Sequence, residues 1–438
     1  MKKKSISFSI GCLAIFLFLI APEYNSPIGR IGGEILIFFL ILPLMLKSLQ
    51  VKDWLTLAPI WIGIISVLLT WLSTFQSYSN LLLMDGLVPT LSCCRNLFFA
   101  TLGLYLGKNI KPHEIKPLAR FCFYCALIVT LFAIGQANFH FIREITLNIY
   151  TNADIAEEQF FRLVSERPQS TLGRTWAYSY FAAVFFLCSI SILGILQSKF
   201  YEFYSIVIFL IGLIYTGTKS AVLAVITGLA LLFFMSTSVF EKNKRFLIKC
   251  IVVAVVFFLP LVIYIYGFDR LNWYYNPFII GISGAAEEIQ HSNSYVTRII
   301  YIERQIELFK YSPIFGTLPT VEFRNSDNFY ISRLAFSGIV GLICGFLIPI
   351  FFFRLYKKYK NLSIIYDNIE GHLFYSNLLF WAAFCGLVMG VAWDFFVGNR
   401  TISFFLFVFG LLSGQLKYFQ NQPNKSLLIN ERIDFTKQ

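Results

Sequence analysis

The residues best suited to chemistry lie between Arg298 and Gly341, where a hydrophobic chain carries arginines, an Asp-Asn pair and spaced glycines. The planar guanidinium of arginine binds phosphate or carboxylate through two parallel hydrogen bonds, which the ammonium of lysine cannot match. The carboxylate of Asp327 suits two roles, capping a helix N-terminus or accepting a proton as a general base. The segment therefore fits a ligand that carries phosphate.

Arginine is concentrated in two long polar stretches, whereas lysine predominates in the other connections between hydrophobic segments. The arginines of these stretches are Arg143, Arg162, Arg167, Arg174, Arg270, Arg298, Arg304, Arg324 and Arg333. Acidic residues are mixed with them, so a second interpretation is that the arginines pair with neighbouring carboxylates and only solvate the loops. Connections longer than about 12–15 residues are usually functional, which favours a phosphate-binding role for the set.

Three glycines lie in the second half of this region. Gly338 and Gly341 are separated by one helical turn where the chain returns to a hydrophobic segment, and small residues at such spacing let helices approach closely. Gly316 follows Ser312-Pro313, which should end an amphipathic helix marked by Tyr301, Ile302, Ile306, Leu308 and Phe309. We predict that this helix lies at the membrane surface.

The elements that must position these residues are transmembrane helices. With 57% hydrophobic and 14% charged residues, the chain is too apolar for a soluble globular protein, in which about 25% of residues are charged. Apolar windows of roughly 19 residues predict an all-α integral membrane protein, a polytopic bundle of about 12 transmembrane helices with two long external loops. Their centres lie near residues 14, 40, 64, 98, 128, 186, 208, 228, 256, 342, 382 and 408.

Lysine-rich connections alternate along the chain, and the positive-inside rule makes them cytoplasmic. Both termini are then cytoplasmic, residues 1–421 form a single membrane domain, and residues 422–438 form a cytoplasmic tail. The external loops span about 138–173 and 267–328. The net charge of +12 is explained by this topology, so we do not expect nucleic-acid binding.

The sequence contains no pattern typical of several other kinds of chemistry. The chain has four His residues without a cluster and no Walker-type glycine loop, so neither a tight transition-metal site nor nucleotide hydrolysis is expected. The nine Cys residues all fall within predicted spans, so no disulfide framework is expected. No cofactor is expected.

Four segments resemble, in order, the O-antigen polymerase and O-antigen ligase family of bacterial membrane enzymes. They are Arg167–Ala183 (RPQSTLGRTWAYSYFAA), Thr216–Ala224 (TGTKSAVLA), Thr297–Gly316 (TRIIYIERQIELFKYSPIFG) and Asp327–Gly341 (DNFYISRLAFSGIVG). The third and fourth are moderately specific when they occur together. Asp327 stands where the ligase pattern has His, which is more similar to a polymerase, and Lys219 replaces the usual arginine.

The resemblance implies transfer of a glycan from a polyprenyl pyrophosphate carrier to a sugar hydroxyl of another lipid-linked repeat unit. The enzyme would be a metal-independent glycosyltransferase of the bacterial cytoplasmic membrane, with its active face outside and lipid-linked oligosaccharides and membrane lipid as partners. A separate chain-length regulator is a candidate partner. The implied catalytic residues are Arg167, Arg298, Asp327 and Asn328; the implied substrate-binding residues are Arg162, Arg174, Lys219, Arg304, Arg324 and Arg333; and Gly316, Gly338 and Gly341 are structural.

Three alternatives remain open, and one of them, a glycosyltransferase that uses polyprenyl monophosphate donors, ranks below the ligase because the first external loop, Glu23–Arg30, offers only one Glu. An O-antigen ligase would share the fold but transfer glycan to a lipid core. A lipid-linked glycan flippase should place charges within its spans along a central path, for which Glu34 and Arg95 are the main candidates.

Overall fold

The computed structural model describes residues 5–20, 50–77, 83–150, 170–172, 175–192, 199–234, 293–317, 329–366, 369–390 and 400–420. Within these ranges the regular structure is α-helical, apart from one 3₁₀ turn at Ser170–Leu172. The helices are α1 (Ile6–Leu19), α2 (Val51–Thr56), α3 (Ala58–Ser77), α4 (Leu83–Asn109), α5 (Pro112–Asn138), α6 (His140–Tyr150), α7 (Thr175–Ser191), α8 (Lys199–Tyr215), α9 (Lys219–Phe234), α10 (Asn293–Tyr311), α11 (Phe329–Leu362), α12 (Glu370–Met389) and α13 (Arg400–Gln420).

Apolar helices dominate the described part of the chain. Three of them, α5, α11 and α12, are long and apolar enough to cross a membrane, and six other helices contain apolar stretches of 10–17 residues. The all-helical membrane architecture is therefore supported, whereas the number of about twelve spans stays a prediction. The spans predicted near residues 40 and 256 and the tail lie outside the described residues.

Helix ends that bear lysine meet at one end of the bundle. Buried Asp53 of α2 accepts hydrogen bonds from Nζ of Lys108, at the end of α4, and from Nζ of Lys417, near the end of α13. Its Oδ2 also accepts the backbone N–H of Gln50 at 2.6 Å. Burial alone would raise the pKa of Asp53, but these donors hold the pKa below its ordinary value. We call this cluster the lysine end.

Helices α4 and α13 pack with their backbones in direct contact. A Cβ added at Gly103 of α4 would lie 2.0 Å from the carbonyl oxygen of Phe407, and one added at Gly410 of α13 would lie 1.9 Å from that of Ala100. Gly107 and Gly414 extend the same contact one turn further. Each helix thus presents a Gly-x-x-x-Gly face to the other, and van der Waals packing of this kind drives helix association where lipid removes the hydrophobic incentive.

Candidate functional site

Helix α10 ends at Tyr311, directly before Ser312-Pro313, as the sequence predicts. Its burial pattern adds one detail to the predicted apolar face. Ile306 is 45% exposed, whereas Gln305, which the pattern did not single out, is 2% exposed and is the buried side chain between residues 300 and 311. Arg298 precedes Gln305 by two helical turns, so helix periodicity places the two positions on the same face of α10.

The turn at residues 312–317 docks on α11 through backbone hydrogen bonds. The N–H of Ile339 donates to the carbonyl of Pro313 at 2.9 Å, and the N–H of Thr317 donates to the carbonyl of Ala335 at 3.0 Å. Backbone groups within a continuous helix are already used by the i−4 ladder, so these bonds require an interruption of α11.

Gly338 supplies that interruption, with φ of +62° inside α11. The sequence-based expectation that Gly338 and Gly341 form a helix-packing face is therefore wrong for Gly338, which is not helical. Gly316 also has positive φ, at +72°, and a Cβ added there would lie 2.5 Å from the backbone nitrogen of Gly338. A Cβ added at Gly338 would in turn lie 2.2 Å from the carbonyl oxygen of Ile314.

The same turn is also attached to α3. Thr70 Oγ1 donates to the carbonyl of Phe315 at 2.8 Å, in addition to the carbonyl of Ser66 in its own helix at 2.9 Å. Residues 312–317, which follow the helix that contains Arg298, are therefore fixed against both α11 and α3. This docking places the third motif segment (Thr297–Gly316) in contact with the fourth (Asp327–Gly341).

The second motif segment forms a tight turn between α8 and α9. Thr216 is buried and its Oγ1 donates to the carbonyl of Leu213 at 2.7 Å, while Gly217 has φ of +59°. The carbonyl of Thr218 accepts the N–H of Ala221 at 3.1 Å, so Thr218 precedes the first turn of α9 and Lys219 is its first residue. A lysine at the positive end of a helix dipole suits an anion.

The first motif segment is described at the Ser170–Leu172 turn and from Thr175 onward, where it forms the start of α7. Ser170 is buried with φ of +56°, and its N–H donates to Gln136 Oε1 at 2.8 Å. Gln136 Nε2 donates to Thr146 Oγ1 at 2.8 Å and to the carbonyl of Ser170 at 3.3 Å. The predicted site position 174 follows this turn two residues later in the sequence.

Two contacts involve the C-terminal end of α5. Arg143 caps the C-terminus of α5, because its Nε and Nη2 donate to the carbonyls of Gln136 and Ala137 at 2.7 and 2.6 Å. Asn138 Nδ2 donates to Tyr215 Oη at 3.1 Å. The end of α5 thus touches the end of α8, directly before the Thr216–Lys219 turn. Arg143 thus has a structural role, although its partners are backbone carbonyls and not the neighbouring carboxylates of the second interpretation.

The predicted site residues are distributed as follows. The structure brings Gly316 and Gly338 together, with Gly341 buried one turn later in α11. Arg304 is exposed on α10, Arg333 is partly buried in the first part of α11, and positions 298 and 219 lie in α10 and at the start of α9. Arg162, Arg167, Arg174, Arg324, Asp327 and Asn328 lie outside the described residues.

We call residues 136–146, 170–172, 215–219 and 312–317 the turn end of the bundle. It lies away from the lysine end, because α5 and α3 begin shortly after Lys108 and Asp53 and reach these segments at Asn138 and Thr70. Among the described residues, no three His, Cys, Asp or Glu side chains are grouped so that they could hold a metal ion. The described polar groups at this end include amides, hydroxyls, the guanidinium of Arg143 and the paired side chains of His140 and Glu144.

Comparison with known proteins agrees with the motif analysis. Residues 204–346 match the family model described as O-antigen ligase. The match contains three of the four motif segments and both docked glycines, so the resemblance to the O-antigen polymerase and ligase family is confirmed. No curated protein matches the chain.

Proposed function

We propose that this chain is a polymerase of the O-antigen polymerase and ligase family, joining polyprenyl-pyrophosphate-linked oligosaccharide repeat units at the outer face of the cytoplasmic membrane. The observation that carries the proposal is the backbone docking of residues 312–317 at Gly338. It fixes the helix that contains Arg298 against the helix that begins directly after Asp327 and Asn328. The third and fourth motif segments, Thr297–Gly316 and Asp327–Gly341, both lie within the family match.

In the proposed reaction, a hydroxyl oxygen of the acceptor sugar attacks the anomeric carbon of the donor glycan. A new glycosidic C–O bond forms while the C–O bond to the pyrophosphate breaks, and the pyrophosphate leaves on its polyprenyl carrier. The hydroxyl proton passes to Asp327, which acts as the general base. No nucleotide is consumed, because the sugar-phosphate bond supplies the energy.

Cations must face the departing pyrophosphate, because negative charge develops there in the transition state. We assign this task to Arg167 and Arg298, with Lys219 at the start of α9 as a supporting positive group. Arg162, Arg174, Arg304, Arg324 and Arg333 are proposed to bind substrate. The exposed position of Arg304 and the partly buried position of Arg333 are compatible with different substrate groups.

An O-antigen ligase is the second candidate, since the matching family model carries that description. A ligase would use the same donor and the same leaving group but would transfer the glycan to a lipid core. Asp327 favours the polymerase, because the resembling ligase pattern has His at this position. Acceptor identity distinguishes the two.

The decisive experiment uses purified full-length protein with a defined polyprenyl-pyrophosphate oligosaccharide, with and without a lipid core acceptor. Dimeric and longer oligosaccharides in the absence of lipid core would support the polymerase. Product on the lipid core alone would support the ligase. Absence of product in both reactions would contradict both functions.

The same assay tests whether a metal is needed. Since guanidinium groups are proposed to carry the charge of the leaving group, excess chelator should leave the rate unchanged. A rate that falls with chelator and recovers with Mg²⁺ would show that a divalent cation shares this role.

A further inference from the structure

We propose that helix α6 lies in the interface between membrane and water at the turn end of the bundle, with one apolar face inserted among lipid chains. This lipid-contact face consists of Phe139, Phe141 and Ile145. The placement does not depend on the reaction that the protein catalyses, because it follows from the packing of α5 and α6 alone. It puts the beginning of the first predicted external loop into the lipid surface instead of the surrounding water.

The described side chains of α6 form three rows along the helix, each repeating after four residues. The rows are Ile142 with Thr146, His140 with Glu144, and Phe141 with Ile145. The first row faces the bundle, since Thr146 is buried and Ile142 is partly buried. The second row is exposed and paired, with Nδ1 of the histidine 3.1 Å from Oε1 of the glutamate. The third row is apolar, yet Phe141 is 59% exposed and Ile145 is 40% exposed.

The first row shows how α6 is oriented. A Cβ added at Gly135 of α5 would lie 2.5 Å from Ile142 Cδ1, and Thr146 Oγ1 accepts a hydrogen bond from Gln136 Nε2 at 2.8 Å. Four residues advance a helix by about 6 Å, but these two contacts are made with consecutive residues of α5. Helix α6 therefore lies across the end of α5 and stays at the depth of its last turn, instead of running back along it.

The length of α5 places its last turn at the membrane boundary. Helix α5 is long and apolar enough to cross a membrane, Arg120 is exposed near its start, and residues 121–139 contain no charged side chain. From Arg120 to Asn138 the helix rises by about 27 Å at ~1.5 Å per residue. This rise is close to the thickness of the hydrocarbon core, about 30 Å. The start of α6 therefore lies where hydrocarbon meets the polar headgroups.

The lipid-facing surface of α5 continues onto α6. Tyr124, Ile128 and Leu131 recur at the spacing of one helix face and are each about half exposed, as expected for side chains in contact with lipid. Phe139, which directly follows α5, is also exposed, and its ring centroid lies 6.1 Å from that of Phe141. An amphipathic helix at this depth buries its apolar face among lipid chains and turns its polar face to water. Membrane lipid is therefore the partner that fits the lipid-contact face.

The test uses the full-length protein in nanodiscs made from a phospholipid with an alkyne-tagged acyl chain. The photoreactive phenylalanine analogue p-benzoylphenylalanine is introduced at position 141 in one variant and at position 145 in another. Because both native side chains are exposed, the analogue should leave the bundle intact, which size-exclusion chromatography checks. After illumination we expect lipid adducts at both positions, in a yield similar to that from the same analogue at position 128, on the lipid-facing surface of α5.

Position 144 provides the matched control, because Glu144 is exposed on the same helix but belongs to the polar row. The yield of lipid adduct from the analogue at this position should be several-fold lower than at position 141. Equal yields at positions 141 and 144 would contradict the proposed orientation of α6.

Absence of lipid adducts at both positions 141 and 145 would show that this face lies in water and would overturn the proposal. A covalent dimer formed from position 141 would overturn it as well, because a second copy of the chain would then cover the face. Failure of the proposed polymerase function is recognised separately, since labelling of lipid requires no turnover.

Discussion

Gly316 and Gly338 pack so closely that neither position has room for a side chain: a Cβ added to either residue would overlap the backbone beside the other. Both have positive φ, which disfavours any other residue at either position. The pair therefore locks the end of the arginine-bearing helix α10 to the interruption in α11.

Gly338→Ala should disrupt this lock. The added Cβ meets the carbonyl of Ile314, and the left-handed conformation costs about 1–3 kcal/mol before the clash is counted. We expect a lower Tm in detergent and loss of glycan polymer in cells. Gly63→Ala is the control, because a Cβ at Gly63 has nothing within 4 Å. Equal behaviour of the two variants would contradict the role of the lock.

Arg298→Ala should abolish polymer formation while leaving the amount of protein in the membrane unchanged. Loss of a group that stabilises developing negative charge costs on the order of 10²-fold or more in rate. Arg298→Lys keeps the charge but loses the two-point fork, so it should recover only part of the activity. The measurement is the glycan ladder from cells together with protein quantification. A normal ladder from Arg298→Ala would remove Arg298 from the mechanism.

Asp327→Asn separates the two roles of this residue. Asparagine caps a helix nearly as well as aspartate, so the variant should keep the start of α11 intact. It cannot accept a proton, and loss of a general base lowers rates by about 10²–10⁴-fold. Turnover in the reconstituted assay and Tm should be measured together. Unchanged turnover would mean that Asp327 only caps the helix.

The lysine end should make stability depend on pH in the acid range. The pKa of Asp53 is lower in the folded protein than its ordinary value of 3.8, so its contribution is fully present above that value. This contribution is lost as the pH falls through the folded-state pKa, because protonated Asp53 leaves Lys108 and Lys417 without a carboxylate. Thermal unfolding in detergent between neutral pH and about pH 3 measures the effect.

Asp53→Asn supplies the comparison for that measurement. Breaking a buried ion pair costs about 3–5 kcal/mol, so the variant should be less stable at neutral pH. Its disadvantage relative to wild type should shrink as the pH falls. A constant difference at all pH values would show that ionisation of Asp53 does not contribute.

Gly410→Val should separate α13 from α4. The new side chain would occupy space taken by the carbonyl of Ala100, and overpacking of this kind typically costs about 1–3 kcal/mol. We expect a lower Tm and a lower yield of folded protein. Gly63→Val is the matched control in α3. A variant with wild-type Tm would mean that the helices can shift apart without loss.

The sequence was sufficient to predict an all-helical membrane protein and the segments of interest, because long apolar windows and motif spacing are local properties. The end of α10 before Ser312-Pro313 was predicted for the same reason. Gly338 could not be assigned correctly, since two glycines one turn apart fit both a helix-packing face and a break. Only the docking of residues 312–317 decides between them.

Two further features differ in how far the sequence could have revealed them. The Gly-x-x-x-Gly patterns at Gly103–Gly107 and Gly410–Gly414 are visible in the sequence, although their pairing is not. Gln136 carries no local pattern, because its partner Ser170 lies 34 positions further along the chain. A contact of that kind requires the folded structure.

The crossing of α4 and α13 has a consequence for biosynthesis. Helix α13 is the last described helix to leave the ribosome, yet Gln415 donates to the carbonyls of Gly107 and Ile110, and Lys417 completes the cluster at Asp53. The early helices are therefore synthesised before α13, the helix that makes these contacts with α4 and with Asp53 of α2. A nascent chain stopped before residue 400 would lack these contacts, and incompletely folded chains of this kind are prone to aggregation.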